Sequence, residues 1–172
     1  MTADTLFTER QHFRQIWLWA LLIGINVLSV GALVMQFFFG MTFGNNPPGK
    51  EELIALTAMT LLILVFFGII RLDTAIDNDG VNYRFYPLQL KMKKISWNRI
   101  SKAYVRPYNA LGEYGGWGLR IGLFGKGQAF NVSGNKGLQL VYDDGKKFLL
   151  GTQKPEDIIQ ILHQLGRQTE GK

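Results

Sequence analysis

The residues best suited to binding a ligand form a run of positive charges in the second half of the chain. Between Asp79 and Glu113 the sequence has no acidic residue and seven basic ones: Arg84, Lys91, Lys93, Lys94, Arg99, Lys102 and Arg106. Cations close to a membrane attract the anionic headgroups of its cytoplasmic leaflet. The run therefore predicts docking on anionic lipid headgroups or capture of an acidic protein partner. The same pattern would arise if the cations only set the orientation of the chain in a membrane and lay on ordinary solvent-exposed strand faces.

A glycine-rich segment follows this run and has the composition of a recognition loop. Residues 108–118 read YNALGEYGGWG. Aromatic rings supply contact area, and glycines let another backbone approach closely. In a recognition loop, Tyr108, Glu113 and Tyr114 would be the exposed contacts with a partner. The alternative, which we favour, is a turn that anchors Trp117 in the core.

The sequence offers little for catalysis, metal binding or a cofactor. It has no cysteine, which excludes disulfides and thiolate chemistry, and its two histidines, His12 and His163, lie near opposite ends of the chain. Glu113 is the only acid in a glycine-rich segment and has no base beside it in sequence. The glycines at 125–127 and 134–137 do not have the spacing of a phosphate-binding loop. We expect a protein that is not an enzyme, holds no cofactor or metal, and binds no nucleic acid.

Two long apolar segments precede the basic run. Residues 16–39 are 24 residues without a charge, and residues 53–70 are 18 without a charge. As helices they would be ~36 Å and ~27 Å long, against a hydrocarbon core of ~30 Å. They predict a transmembrane hairpin, with residues 1–15 as its N-terminal flank and residues 40–52 as a short external loop.

The cations around these segments predict the orientation of the hairpin. Arg10 and Arg14 precede the first segment, Arg71 follows the second directly, and the connection contains only Lys50. Cytoplasmic flanks of membrane helices carry an excess of lysine and arginine. We therefore expect a multi-pass protein of the plasma membrane with both termini in the cytoplasm.

Small and polar residues within the first apolar segment indicate helix packing. Ala20, Gly24 and Gly31 allow close approach of a second helix, and Asn26 can donate a hydrogen bond across the contact. A transport path is the alternative. The absence of any charge inside either segment favours packing.

The remaining chain has the pattern of a mainly-β domain over residues 71–168, followed by a tail at 169–172. Short alternating runs predict seven or eight antiparallel strands, at 72–78, 81–86, 93–97, 101–106, 117–123, 128–132, 138–142 and 146–150. Asp79-Gly80 suits a hairpin turn. The apolar stripe of Ile158, Ile161, Leu162 and Leu165 predicts one closing helix.

Several short motifs resemble those of bacterial membrane-anchored pleckstrin-homology-like (PH-like) domains. They are LDTAID at 72–77, DGVNYR at 79–84 and ISWNRI at 95–100, and EYGGWGLR at 113–120 resembles an element of one uncharacterised branch. The resemblance implies a two-helix transmembrane hairpin plus a PH-like barrel or sandwich with one C-terminal helix, in the inner membrane of a bacterium. It implies no particular activity. Asp79 makes the first hairpin loop acidic, which disfavours specific phosphoinositide recognition.

Two functions remain open from the sequence. The domain would mediate protein interaction, self-association or docking on anionic lipid. Alternatively, the protein would be an accessory or regulatory subunit of a membrane transporter or enzyme complex, with the apolar helices making the contact with their partner.

Overall fold

The computed structural model describes residues 5–42, 44, 47–122 and 126–169. Its contacts divide the chain into two compact units. One is Arg14–Ile69, and the other combines Met1–Phe13 with Ile70–Lys172. The second unit is therefore built from both sides of the apolar segments.

The first unit consists of two helices, α1 at Ile16–Phe39 and α2 at Lys50–Ile69. Gly40 ends α1 in the left-handed conformation at φ 66°, which a residue without a Cβ adopts freely. Only 17% of the most apolar window of each helix is buried. A core helix of a soluble protein would be mostly buried. Both helices are long and apolar enough to cross a membrane.

Polar side chains form the seam between α1 and α2. Asn26 donates through Nδ2 to the carbonyl oxygen of Thr60 at 3.3 Å, and the hydroxyls of Ser29 and Thr60 lie 3.3 Å apart. Thr57 Oγ1 donates to the Ser29 carbonyl oxygen at 3.4 Å. Such bonds replace contacts with water that an apolar environment cannot supply.

The small residues of α1 lie outside this seam. A Cβ added at Gly24 or Gly31 would meet no atom within 4 Å, and Ala20 is exposed. Of the four residues predicted for packing, the structure places only Asn26 between the two helices.

The second unit is mainly β, with nine strands, two α-helices and one 3-10 helix, Trp97–Arg99, in its described residues. The strands are β1 Thr5–His12, β2 Arg71–Asp77, β3 Gly80–Tyr86, β4 Lys93–Ser96, β5 Ile100–Pro107, β6 Gly118–Ile121, β7 Gln128–Asn131, β8 Lys136–Tyr142 and β9 Lys147–Thr152. The helices are α3 Ala110–Tyr114 and α4 Pro155–Gln164. One sheet has the order β1-β2-β3-β4, and the other has the order β5-β8-β9-β7-β6.

The two sheets do not close into a barrel, which corrects that part of the predicted fold. Their pairing also departs from the all-antiparallel expectation, because β7 pairs with β9 in parallel. Aromatic rings of the two sheets pack together in the core. The ring centroid of Phe148 lies 4.9 Å from that of Tyr83 and 5.1 Å from that of Phe130. The predicted closing helix is present as α4, which buries Ile158 and Leu162.

Strand β1 extends the domain beyond the predicted residues 71–168. It pairs with β2 along its length, with Arg10 opposite Asp73 and His12 opposite Arg71. Its inward side chains are Phe7, Glu9 and Gln11, all buried. Because two of these three are polar, the stretch lacks the apolar alternation by which strands are recognised in a sequence.

Candidate functional site

Three arginines surround one carboxylate on the outer face of the first sheet. Arg10, Asp73 and Arg84 occupy matched positions on β1, β2 and β3, so their side chains share a face. Asp73 Oδ1 accepts from Arg10 Nε at 3.0 Å, and Oδ2 accepts from Arg84 Nη2 at 2.6 Å. Arg71, two positions before Asp73 on β2, donates through Nε to Oδ2 at 3.2 Å. We call Arg10, Arg71 and Arg84 the arginine cluster.

The arginine cluster carries more positive charge than Asp73 can neutralise. Burial raises the pKa of Asp73, but hydrogen bonds from Arg84 and Arg10 and the charge of Arg71 outweigh burial and hold the pKa below its ordinary value. The carboxylate is therefore ionised at neutral pH. Guanidinium groups stay protonated in proteins. Three cations and one anion leave a formal surplus of two positive charges.

Two members of the cluster retain unused donors. Arg84 donates to Asp73 through Nε and Nη2, and to the Leu90 carbonyl oxygen through Nη1 at 3.3 Å. Arg10 and Arg71 bind Asp73 through Nε alone. A guanidinium has five N–H donors. Each of these two arginines therefore gives one donor to Asp73, and the Arg71 guanidinium also lies over the Tyr86 ring at 4.6 Å.

The cluster borders an open pocket of about 420 Å³. Its lining includes Arg10, Asp73, Arg84 and Met92. It also includes Glu9, whose carboxylate accepts hydrogen bonds from Thr152 and Gln153. Fork-shaped donors beside a surplus of positive charge suit the oxygens of phosphate or carboxylate groups. The chemistry that this site offers is anion binding.

The seven predicted cations do not form a single patch. Arg84, Lys93 and Lys94 belong to the first sheet, whereas Lys102 and Arg106 belong to β5 in the second. Some are neutralised within the domain. Lys94 Nζ lies 3.0 Å from Asp79 and 3.4 Å from Asp77, while Arg106 pairs with Glu113 at 2.8 Å.

The other predicted cations remain available to a ligand. Arg99 stacks over the Tyr142 ring at 5.9 Å. Lys91, Lys93 and Lys102 are exposed and form no ion pair with any residue that the structure describes. Lys91 and Lys93 flank Met92, and so they lie close to the pocket beside the arginine cluster.

The tyrosines of residues 108–118 are buried, and the prediction that they are exposed contacts is wrong. Tyr108 is 5% exposed and Tyr114 is 3% exposed, and their rings pack edge to face at 6.1 Å. They form a small core with Ala129 and Leu149, against which the partly buried Trp117 packs. This arrangement matches the alternative interpretation, a turn anchored in the core.

Charge and burial explain the local geometry of this segment. The Asn109 side chain caps α3 by accepting from the backbone nitrogens of Leu111 and Gly112. The hydrogen bond from Arg106 lowers the pKa of Glu113, so both partners stay charged. Burial raises the pKa of Tyr108 to about 12. The segment therefore acts as structure, and only Glu113 of its three predicted contacts is partly exposed.

The members of the site are distant along the chain, so no local pattern in the sequence connects them. Arg10 and Arg71 precede and follow the apolar segments, where they read as a topology signal, and nothing in the sequence links either with Asp73. Recognition of β1 would have aligned them, since antiparallel pairing determines which residues are neighbours. In the described part of the chain, no cluster of histidine, aspartate and glutamate could hold a metal ion.

No model of a known protein family matches this chain, and no curated protein matches it.

Proposed function

We propose that this chain is a two-pass membrane protein whose domain docks on the anionic lipid headgroups of the leaflet beneath which it is tethered. The observation that carries the proposal is the arginine cluster, with its two surplus positive charges and the unused donors of Arg10 and Arg71. Lys91 and Lys93 add two exposed cations beside it. Such cations contribute ~1 kcal/mol each near an anionic surface.

The order of elements supports a PH-like class for the domain. A four-stranded antiparallel sheet comes first, a second sheet follows, and a helix with a buried apolar face ends the domain. The resemblance of residues 72–100 to bacterial membrane-anchored members points the same way, and with it to a bacterial plasma membrane.

The pairing of β1 with β2 supports the transmembrane hairpin. The chain leaves the first sheet after His12, passes through α1 and α2, and re-enters the same sheet at Arg71. Two crossings of a bilayer return a chain to the side on which it began. The cations of the flanks, compared with the single Lys50 of the connection, favour the cytoplasm as that side.

Amide hydrogen exchange of the full-length chain in lipid nanodiscs tests docking. We expect residues 87–93 to exchange more slowly in discs containing phosphatidylglycerol than in pure phosphatidylcholine, and high salt to remove the difference. Arg10→Gln with Arg71→Gln should weaken docking by ~2 kcal/mol, about 30-fold in the docked-to-undocked ratio. Lys146→Gln with Lys154→Gln removes the same charge elsewhere and should have little effect. Equal exchange in the two lipids would contradict the proposal.

A second candidate is the accessory subunit, supported by the open positions of Gly24 and Gly31 on α1. Gly24→Leu with Gly31→Leu would then abolish copurification of a membrane partner and leave the lipid response unchanged. Docking without any copurifying partner would favour the lipid function.

A further inference from the structure

We propose that the loop joining β3 to β4 is a lipid-inserting wedge, with apolar side chains that enter the anionic leaflet. The loop, residues 87–92, reads PLQLKM. This inference rests on the proposed docking function and adds the residues that penetrate the lipid.

The apolar side chains of this loop are exposed. Leu88 is 62% exposed, Leu90 is 72% exposed and Met92 is 42% exposed. An exposed group of large apolar side chains marks an interaction surface. The other described residues of this unit with large exposed apolar side chains, Leu111, Leu119 and Ile121, belong to α3 and β6 and are not part of this loop.

Hydrogen bonds hold the loop in the conformation that presents these side chains. The Gln89 backbone nitrogen donates to the Phe85 carbonyl oxygen at 2.8 Å, and Gln89 Oε1 accepts from the Phe85 nitrogen at 3.2 Å. Arg84 Nη1 donates to the Leu90 carbonyl oxygen at 3.3 Å. The domain thus binds the backbone and the polar side chain of the loop, and it leaves Leu88 and Leu90 uncovered.

The strand register determines the end of the sheet at which the loop lies. Tyr86, the last residue of β3, is opposite Arg71, the first residue of β2. Arg71 follows Ile69, the last residue of α2, by two residues. The loop therefore leaves the sheet at the end where the chain arrives from α2. The β2–β3 turn at Asn78 is at the other end, ~20 Å along the strands.

The charges around the loop identify an anionic lipid surface as its occupant. Lys91 lies between Leu90 and Met92, Lys93 follows, and both are exposed. Their neighbours in space include Arg84 of the arginine cluster, which holds the loop backbone. Apolar side chains interleaved with cations suit the boundary between acyl chains and anionic headgroups.

A single-cysteine label tests insertion in the full-length chain, because the natural sequence has no cysteine. The cysteine of the Leu90→Cys variant is labelled with an environment-sensitive fluorophore, and the protein is placed in nanodiscs of phosphatidylcholine with or without phosphatidylglycerol. The same label on Asn78→Cys is the control. Nitroxides on the lipid acyl chains act as quenchers. Interfacial side chains lie ~5–10 Å deep, so we expect roughly twofold stronger quenching at position 90 than at position 78.

Substitutions separate the wedge from its surroundings. Insertion should shift the fluorescence emission of the label at position 90 to shorter wavelength. Leu88→Ser with Met92→Ser should abolish this blue shift. Ile121→Ser, which removes an even more exposed apolar side chain elsewhere in the domain, should leave it unchanged. Equal quenching at positions 90 and 78 would overturn the wedge, and so would a blue shift that requires two protein copies in one disc.

Failure of the wedge and failure of docking give different results. If hydrogen exchange responds to phosphatidylglycerol while the label at position 90 stays in water, the wedge is wrong and electrostatic docking stands. If the label inserts equally into neutral and anionic discs, the loop penetrates lipid without selecting its charge, and the charge-driven function is wrong. If neither responds, both are wrong.

Discussion

Gln11 Nε2 donates a hydrogen bond of 2.7 Å to the carbonyl oxygen of Gly151, although 140 residues separate the two in sequence. Gln11 is on β1 of the first sheet, and Gly151 is on β9 of the second. Glu9, two residues earlier on β1, accepts from the Thr152 hydroxyl and from the Gln153 backbone nitrogen. The strand that precedes the apolar helices thus ties the two sheets of the domain together.

Gln11→Ala should therefore destabilise the domain. The substitution removes a buried hydrogen bond and leaves the Gly151 carbonyl oxygen without this donor, at a cost of ~1–3 kcal/mol. Thr8→Ala, on the outer face of the same strand, is the control and should cost much less. Urea unfolding of the full-length chain in detergent measures both. Equal losses for the two variants would contradict a linking role for Gln11.

A soluble form of the domain should require β1. Deletion of residues 1–70 would uncover the β2 edge, an unpaired strand that invites aggregation. By contrast, replacement of residues 14–69 by Asn-Gly should give a monomeric, folded domain. His12 and Arg71 are paired, so a two-residue turn between Phe13 and Ile70 closes an ordinary hairpin.

Size-exclusion chromatography and hydrogen exchange of the two soluble chains check this prediction. We expect the chain with the Asn-Gly turn to elute as a monomer with protected β2 amides, and the truncated chain to aggregate. A monomeric, protected chain of residues 71–172 would show that β1 is dispensable.

The sequence predicted strands where local signals are strong. The β2–β3 hairpin follows from its alternation and from Asp79-Gly80, and Asp77 Oδ1 secures the turn by accepting from both backbone nitrogens at 2.8 Å. By contrast, β1 was missed because its inward Glu9 and Gln11 find their partners only in the folded domain. The parallel pairing of β7 with β9 is likewise a tertiary choice that no local pattern specifies.

The candidate site was only partly predictable for the same reason. Arg84 was identified from the charge run, but its partners Arg10 and Asp73 come from other strands. Aromatics among glycines suit a binding loop as well as a turn, so Tyr108 and Tyr114 were named as contacts if the segment were a loop, although we favoured the turn. Their burial against Ala129 and Leu149 depends on the packing of the second sheet.

The arginine cluster should make the stability of the domain depend on pH through Asp73. Its carboxylate has a lower pKa in the folded chain than its ordinary value. Its contribution to the free energy of unfolding is therefore fully present above the unfolded pKa of about 3.9, and it is lost as the pH falls through the folded value. Asp73→Asn should destabilise the domain most at neutral pH, and the difference from the natural chain should shrink below about pH 4.

Urea midpoints of the natural chain and Asp73→Asn, compared from neutral to acidic pH, test this. Asp157→Asn, at an exposed carboxylate in the first turn of α4, is the control for the loss of one negative charge and should change the urea midpoint much less. A constant difference between Asp73→Asn and the natural chain at every pH would contradict the ion pairing of Asp73.

An engineered disulfide should form across the seam between α1 and α2. The hydroxyl oxygens of Ser29 and Thr60 lie 3.3 Å apart, so cysteines at both positions should bring their sulfurs within bonding reach after small side-chain rotations. Because the natural chain has no cysteine, any disulfide reports this pair alone.

With a membrane-permeant oxidant, we expect Ser29→Cys with Thr60→Cys to cross-link within one chain. A thrombin site engineered between the helices would then leave the cleaved fragments joined until reduction. Val27→Cys with Thr60→Cys is the control, because Val27 is 64% exposed and lies on another face of α1. Equal cross-linking of the two pairs would show that α1 rotates against α2, and the polar seam would then not fix their register.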